Sequence, residues 1–148
     1  MFEKFFPDEY LGSTYKIPFE KLYEQGYRGV IFDIDNTLVP HGAPADERAK
    51  RLFQRLREIG FESCLLSNNQ KKRVEMFNQE IQTHYIYNAL KPARKNYLHA
   101  MEIMGTDQTN TLFVGDQLFT DVWGAKRVGI HNLSLIHISE PTRRSYIS

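Results

Sequence analysis

The chain has one cysteine in 148 residues, and a single thiol closes no internal disulfide. Set in Phe61-Glu62-Ser63-Cys64-Leu65-Leu66, Cys64 reads as a small buried hydrophobe, a usage that suits a reducing compartment. No apolar run approaches the ~20 residues that a membrane-spanning helix needs. The opening stretch, Met1-Phe2-Glu3-Lys4-Phe5-Phe6-Pro7-Asp8, lacks a signal peptide's unbroken apolar core, and its acids argue against a transit peptide. A cytoplasmic protein without a transmembrane segment is expected. Charge of one sign is also missing: the formal net charge is +1, which leaves no basic footprint for nucleic acid. The five histidines, His41, His84, His99, His131 and His137, have no metal-ligand spacing and receive no role.

With 41% hydrophobic and 13% aromatic residues the chain can bury one core, so a single domain is expected. Short apolar runs at Val30–Ile34, Glu62–Leu66, Tyr85–Tyr87 and Thr111–Gly115 alternate with stretches of helical period. That is the pattern of βα units feeding a parallel sheet. Between the first two runs, Ala45, Ala49, Leu52, Phe53, Leu56 and Ile59 recur at helical spacing, while Arg48, Lys50, Arg51, Arg55 and Arg57 take the other faces. One amphipathic helix follows. Helices are expected to stop at Gly60, Gly105 and Gly129, each leading into an apolar run, as left-handed C-terminal residues do. The helix over Lys71–Glu80 has no such glycine. The fold class is α/β, a Rossmann-like parallel sheet flanked by helices.

Chemistry concentrates at the strand ends. Asp33-Ile34-Asp35-Asn36-Thr37 follows the apolar Gly29-Val30-Ile31-Phe32. Side chains two apart on a strand share a side, so Asp33 and Asp35 would share one mouth at the sheet edge where α/β folds bind ligands. Two close carboxylates call for a hard cation, and magnesium, which takes carboxylate and phosphate oxygens together, is the natural one. Ser67-Asn68-Asn69, Lys91-Pro92 and Gly115-Asp116-Gln117-Leu118-Phe119-Thr120-Asp121 close the later runs, with 30 positions from Thr37 to Ser67, 24 on to Lys91 and 25 on to Asp116, about one βα unit each. All four segments should converge on one edge. An EF-hand loop would need glycine at Leu38 and glutamate at Pro44, and a phosphate-accepting receiver domain would need an acid where Ser67-Asn68-Asn69 stands.

These four segments resemble the motifs of the haloacid dehalogenase (HAD) superfamily. The phrases Leu-Leu-Ser-Asn-Asn, Val-Gly-Asp-Gln-Leu-Phe-Thr-Asp and Phe-Pro-Asp-Glu-Tyr are similar, more narrowly, to the YqeG family of HAD subfamily IIIA phosphatases. The resemblance implies a magnesium-dependent phosphoric monoester hydrolase. Asp33 would be the nucleophile that forms an aspartyl-phosphate. Asp35 would protonate the leaving oxygen and then deprotonate the hydrolytic water, with Thr37 bonding it in position. The Ser67 hydroxyl and Asn68 N–H would face the phosphate at a helix N-terminus. Lys91, fixed by Pro92, would neutralise the phosphoryl oxygens and the Asp33 carboxylate. Asp116 would complete the metal site with the Asp33 carboxylate and the Asp35 backbone carbonyl, and Asp121 would support it. An aspartate at position 35 favours phosphatase over dehalogenase chemistry. A HAD-like binding or scaffold protein without turnover is the alternative.

Neither gap between motifs has room for a cap domain, so the site should be open, for a large phosphate ester or for a partner subunit as lid. Relatives of this group resemble phosphatidylglycerophosphate phosphatases, which makes a phospholipid head group one candidate beside a sugar phosphate or a phosphoprotein. Phe2, Lys4, Phe5, Phe6 and Tyr10 could touch the inner face of a membrane or, more simply, pack on the sheet edge. After Ile130 a further strand is due, yet Leu133-Ser134-Leu135-Ile136-His137-Ile138-Ser139-Glu140-Pro141-Thr142-Arg143 resembles the conceptual translation of a transposase adapter used to build sequencing libraries. Residues 1–132 are therefore read as a capless, C-terminally truncated HAD-like domain. Residues 133–148 are read as an adapter-derived tail, apolar enough to occupy the last strand position, with no part in function.

Overall fold

The computed structural model describes residues 9–11, 14–89, 94–115 and 129–135. Its centre is strand β2 (Gly29–Phe32), flanked by β3 (Glu62–Leu66) and β5 (Thr111–Gly115). Beyond them lie β4 (His84–Ile86) on one side and β6 (His131–Leu135), then β1 (Glu9–Leu11), on the other. The order is β1-β6-β5-β2-β3-β4 and every pair is parallel. The helices are α1 (Phe19–Glu24), α2 (Glu47–Ile59), α3 (Lys71–Ile81) and α4 (Arg94–Met104).

Alternation along the strands sorts the apolar side chains into two layers. Val30, Phe32, Leu65, Leu112 and Val114 pack with Phe19 of α1, Leu52, Phe53 and Leu56 of α2, and Val74 and Phe77 of α3. Ile31, Cys64, Leu66 and Phe113 pack with Tyr97, Ala100, Met101 and Met104 of α4. Because both faces are covered, β2 reads as an unbroken apolar run and β3 and β5 turn apolar after their first residues, as buried parallel strands do. Cys64 is buried among them, and burial pushes its thiol up to about 12, so it packs as a hydrophobe and offers no thiolate.

The expected runs at Glu62–Leu66 and Thr111–Gly115 are β3 and β5. Two strands shift: that expected over Val30–Ile34 runs Gly29–Phe32, and that over Tyr85–Tyr87 runs His84–Ile86. The amphipathic helix starts at Glu47 because Asp46 caps it, its Oδ1 accepting the Ala49 N–H at 2.9 Å. Gly60, Gly105 and Gly129 all have positive φ. At Gly60 a Cβ would meet Tyr23 Oη at 2.8 Å, so close approach as well as backbone conformation requires glycine there. Helix α3 ends instead on Gln82, left-handed at φ 59°, whose N–H donates to the Asn78 carbonyl at 2.7 Å. Neither α1 nor β1 is anticipated by periodicity, since a six-residue helix and a three-residue strand are too short to show one.

Strand β6 occupies the place expected for a strand after Ile130, and Leu133 is 1% exposed within the core of α1, α2 and α3. The sheet thus takes in Leu133, Ser134 and Leu135 from the segment read as adapter-derived, because alternate β-compatible side chains suffice for a sheet position. Residues 136–148 lie outside the described residues, as do Phe2, Lys4, Phe5 and Phe6. Among the described residues no helix is long and apolar enough to cross a membrane.

Helices α1 and α2 are tied by Arg55, whose Nε and Nη2 donate to the two Glu20 oxygens at 2.8 and 2.5 Å. These bonds lower the Glu20 carboxyl from 4.5 to about 2. The folded-state value lies below the unfolded one, so the stabilisation is present above about pH 4.5 and is lost as pH falls toward 2. The pair is solvent-exposed and therefore weak. Glu20→Gln is expected to change stability at pH 7 by less than ~1 kcal/mol and to flatten the acid side of the stability profile, as measured by urea unfolding from pH 7 down to 3.

Candidate active site

Strand order reverses at β2: β3 and β4 extend to one side, β5 and β6 to the other. The crevice at the C-terminal ends of β2 and β5 is the switch point where such sheets bind ligands. Asp33 sits there, 7% exposed, its N–H extending the ladder to the Val114 carbonyl at 3.0 Å. Its Oδ1 accepts the Ile34 N–H at 3.0 Å.

The chain then leaves the sheet in a tight turn. Thr37 and Leu38 N–H donate to the Ile34 carbonyl at 3.2 and 2.9 Å, and Asn36, at φ 64°, donates to Val39 at 2.7 Å. Leu38 and Val39 are buried in the core and anchor the turn. A short 3-10 helix, Thr14–Lys16, clamps it from outside: Thr14 Oγ1 donates to the Thr37 carbonyl at 2.7 Å and Tyr15 Oη to the Leu38 carbonyl at 2.6 Å.

Asp35 projects from this turn into a cluster of donors. Its Oδ1 accepts the Gly42 N–H and Arg73 Nη2, both at 2.8 Å, and its Oδ2 accepts Asn69 Nδ2 at 2.7 Å. His41 Nδ1 lies 4.0 Å away. Burial works to raise the Asp35 carboxyl, but the Gly42 N–H, the Arg73 guanidinium and His41 together outweigh it and hold the group below its ordinary value. The side chains of Asp35 and Arg73 are 14% and 12% exposed. Arg73 Nε and Nη1 are buried and make no hydrogen bond among the described residues, so Asp35 is the main compensation for that buried charge.

Two expectations are corrected. Thr37 does not bond Asp35: its Oγ1 is buried without a partner among the described residues, because Gly42, Asn69 and Arg73 take the Asp35 oxygens. Ser67 does not stand at a helix N-terminus, since Gln70 is the residue that precedes α3. Ser67 directly follows β3 at 2% exposure, its Oγ accepting the Asn69 N–H at 3.0 Å and its backbone bonded to Ile86 and Ala89. Asn68, beside it, is exposed. Asp33, Asp35 and Ser67 thus come to one edge, and Lys91, Asp116 and Asp121 lie outside the described residues.

Sequence reasoning missed Arg73 and the role of Asn69. A signal was available: α3 opens Lys71-Lys72-Arg73 with no acid in its first turn. Cations at a helix N-terminus oppose the macrodipole, so they mark an anion nearby. Among the described residues no three His, Cys, Asp or Glu side chains form a metal cluster. The Asp33 carboxylate and the Asp35 carbonyl offer oxygen alone, a donor chemistry that fits a hard divalent cation, with Asp116 next in the chain after β5.

Comparison with known proteins gives the family. A family model described as haloacid dehalogenase-like hydrolase matches residues 42–129, downstream of the aspartate pair. The Bacillus subtilis protein named "Probable phosphatase YqeG" is 36% identical over 94% of this chain and 82% of its own length. The Pyrococcus abyssi protein named "Glyceraldehyde 3-phosphate phosphatase" is 29% identical over 55% of this chain and 38% of its own. In fold, the cobalt-bound deoxy-D-mannose-octulosonate 8-phosphate phosphatase of Haemophilus influenzae aligns with a TM-score of 0.64 at 13% identity, over 84% of this chain and 76% of that one. The chain belongs to the haloacid dehalogenase-like hydrolase family and is a phosphatase within it. Phosphatases of this family work with a divalent metal.

Asp35→Asn removes the carboxylate from Arg73 and is expected to lower stability by about 1–3 kcal/mol, the scale of a hydrogen bond to a charged group. Adding Arg73→Met should recover part of that loss. Urea unfolding of the single and double variants at pH 7 checks both; equal stability of wild type and Asp35→Asn would show the ion pair to be structurally idle.

Proposed function

We propose that the chain is a magnesium-dependent phosphomonoesterase acting through an aspartyl-phosphate on Asp33. The observation that carries this reading is Asp33 itself, a carboxylate at the C-terminal end of the central strand, at the switch point and beside the end of β3. An Asp33 oxygen attacks phosphorus as the ester P–O bond breaks, and the departing oxygen takes a proton from Asp35. Water then attacks the phosphoryl group, Asp35 takes the water's proton, and the Asp33–phosphorus bond breaks to release phosphate and restore the carboxylate. The donors that keep Asp35 ionised favour its second task. Ser67, Asn68 and Lys91 are assigned to the phosphate, and Asp121 to support. The Asp33 carboxylate, the Asp35 carbonyl and Asp116 would hold magnesium, which would supply charge neutralisation of the phosphoryl oxygens.

One helix separates β2 from β3 and one separates β3 from β4, which supports an open site without a cap. Such a site suits a phosphate on a large molecule, and a lipid head group of the phosphatidylglycerophosphate kind is the substrate we assign, met at the inner face of a membrane by a cytoplasmic protein. A soluble sugar phosphate is the second reading, favoured by the name of the Pyrococcus relative. Residues 133–148, read as adapter-derived, have no part in this chemistry.

Asp33→Asn is expected to abolish hydrolysis while the fold persists, since an amide oxygen can still accept the Ile34 N–H but cannot act as nucleophile. Circular dichroism and phosphate release from a panel of lipid and soluble esters check the two halves; undiminished turnover by this variant would sink the assignment. Asp116→Ala should raise the magnesium concentration needed for half-maximal rate and leave metal-free melting within a few degrees of wild type. Full wild-type activity in chelator would refute the metal requirement and favour another mechanism, and no turnover on any ester would favour the idle binding protein.

A further inference from the structure

Asp35 stands off the sheet: its backbone makes an isolated bridge to Val39 in the turn, whereas Asp33 directly follows β2 and is tied to β5 through its N–H to the Val114 carbonyl. What orients its carboxylate is a set of three donors from three segments, the Gly42 N–H of its own loop, the Asn69 amide of the β3–α3 turn and Arg73 of α3. Of these, Arg73 alone is charged and alone sits within a regular helix. The arginine is held in turn, 12% exposed with its guanidinium carbon 5.8 Å from the Phe77 ring centroid. Two of its nitrogens stay buried without hydrogen bonds among the described residues. A side chain kept for solvation or helix propensity would not be buried in that way, and the opening turn of α3 is a poor place for a cation on helix electrostatics. The contact that offsets both costs is the one to Asp35.

We propose that Arg73 is a positioning residue for phosphoryl transfer, setting the Asp35 carboxylate from the rigid start of α3 and acting on turnover through Asp35. The proposal rests on the reading of Asp35 as the proton-handling group. Displacing such a group by about 1 Å costs on the order of 10²-fold in rate, so the contact has a kinetic signature distinct from a binding one.

The test uses the full chain with magnesium and p-nitrophenyl phosphate, comparing wild type, Arg73→Met, Asp35→Asn and the double variant below their melting temperatures. Arg73→Met is expected to lower kcat by about 10–100-fold while KM stays within about threefold. Added to Asp35→Asn, it should cost less than about twofold, since a residue that acts through Asp35 has nothing left to position. A general structural role would repeat the same loss in both backgrounds, which would overturn the proposal. So would a kcat within about twofold of wild type, or a raised KM with kcat kept, which would mean that Arg73 touches the substrate itself. Wild-type turnover by Asp35→Asn, or none by wild type, would instead defeat the underlying assignment of Asp35, and this proposal with it. Where Arg73→Met does not fold, Arg73→Gln takes its place under the same criteria.

Discussion

Covering both faces of a parallel sheet leaves the strand ends as the place for polar chemistry, and the rest of this structure depends on that constraint. Val30, Phe32 and Leu65 are committed to the layer of α1, α2 and α3, and Ile31, Cys64 and Leu66 to the layer of α4. The central strands therefore have no side chain to spare until they run out of sheet. Asp33 and Ser67 are the first polar residues past those ends, and they meet because β2 and β3 are parallel and in register, Phe32 opposite Leu65. Reversal of strand order at β2 opens the crevice beside them.

Buried charge is the second organising fact. Asp35 and Arg73 are each nearly enclosed, and neither is fully satisfied without the other. Removing two ions from water is costly, and in this fold that cost falls two residues from Asp33, the nucleophile we propose. The loop that carries Asp35 is held on every side by something specific: Leu38 and Val39 in the core, Thr14 and Tyr15 on its carbonyls, Gly42, Asn69 and Arg73 on the carboxylate. A site loop so restrained is preorganised, in keeping with catalysis that gains most from groups already in place.

Much of this was legible in the chain. Short apolar runs alternating with helical stretches meant a parallel sheet, and β3 and β5 fall where their residues suggest. Glycines 60 and 105 end helices with positive φ as their positions imply. Short elements were not legible: α1 and β1 make less than two turns or three residues, and their stability comes from packing Phe19 and pairing with β6, neither of which leaves a local period. Nor was the end of α3, where Gln82 takes a left-handed conformation usually signalled by glycine.

At the site the same division holds. Sequence by itself determined the chemistry available: two aspartates one residue apart after a strand, a serine after the next, and oxygen donors suited to a hard cation. Those are properties of residue types and spacing, carried by the period of a strand and the length of a βα unit. Tertiary structure alone decided which partners those groups have. Thr37, three residues from Ile34, turned out to be held through its backbone, and Arg73, thirty-eight residues from Asp35, turned out to be its ion-pair partner. Hydrogen-bond partners across such distances are chosen by how α3 packs on the sheet, and no local pattern encodes that choice.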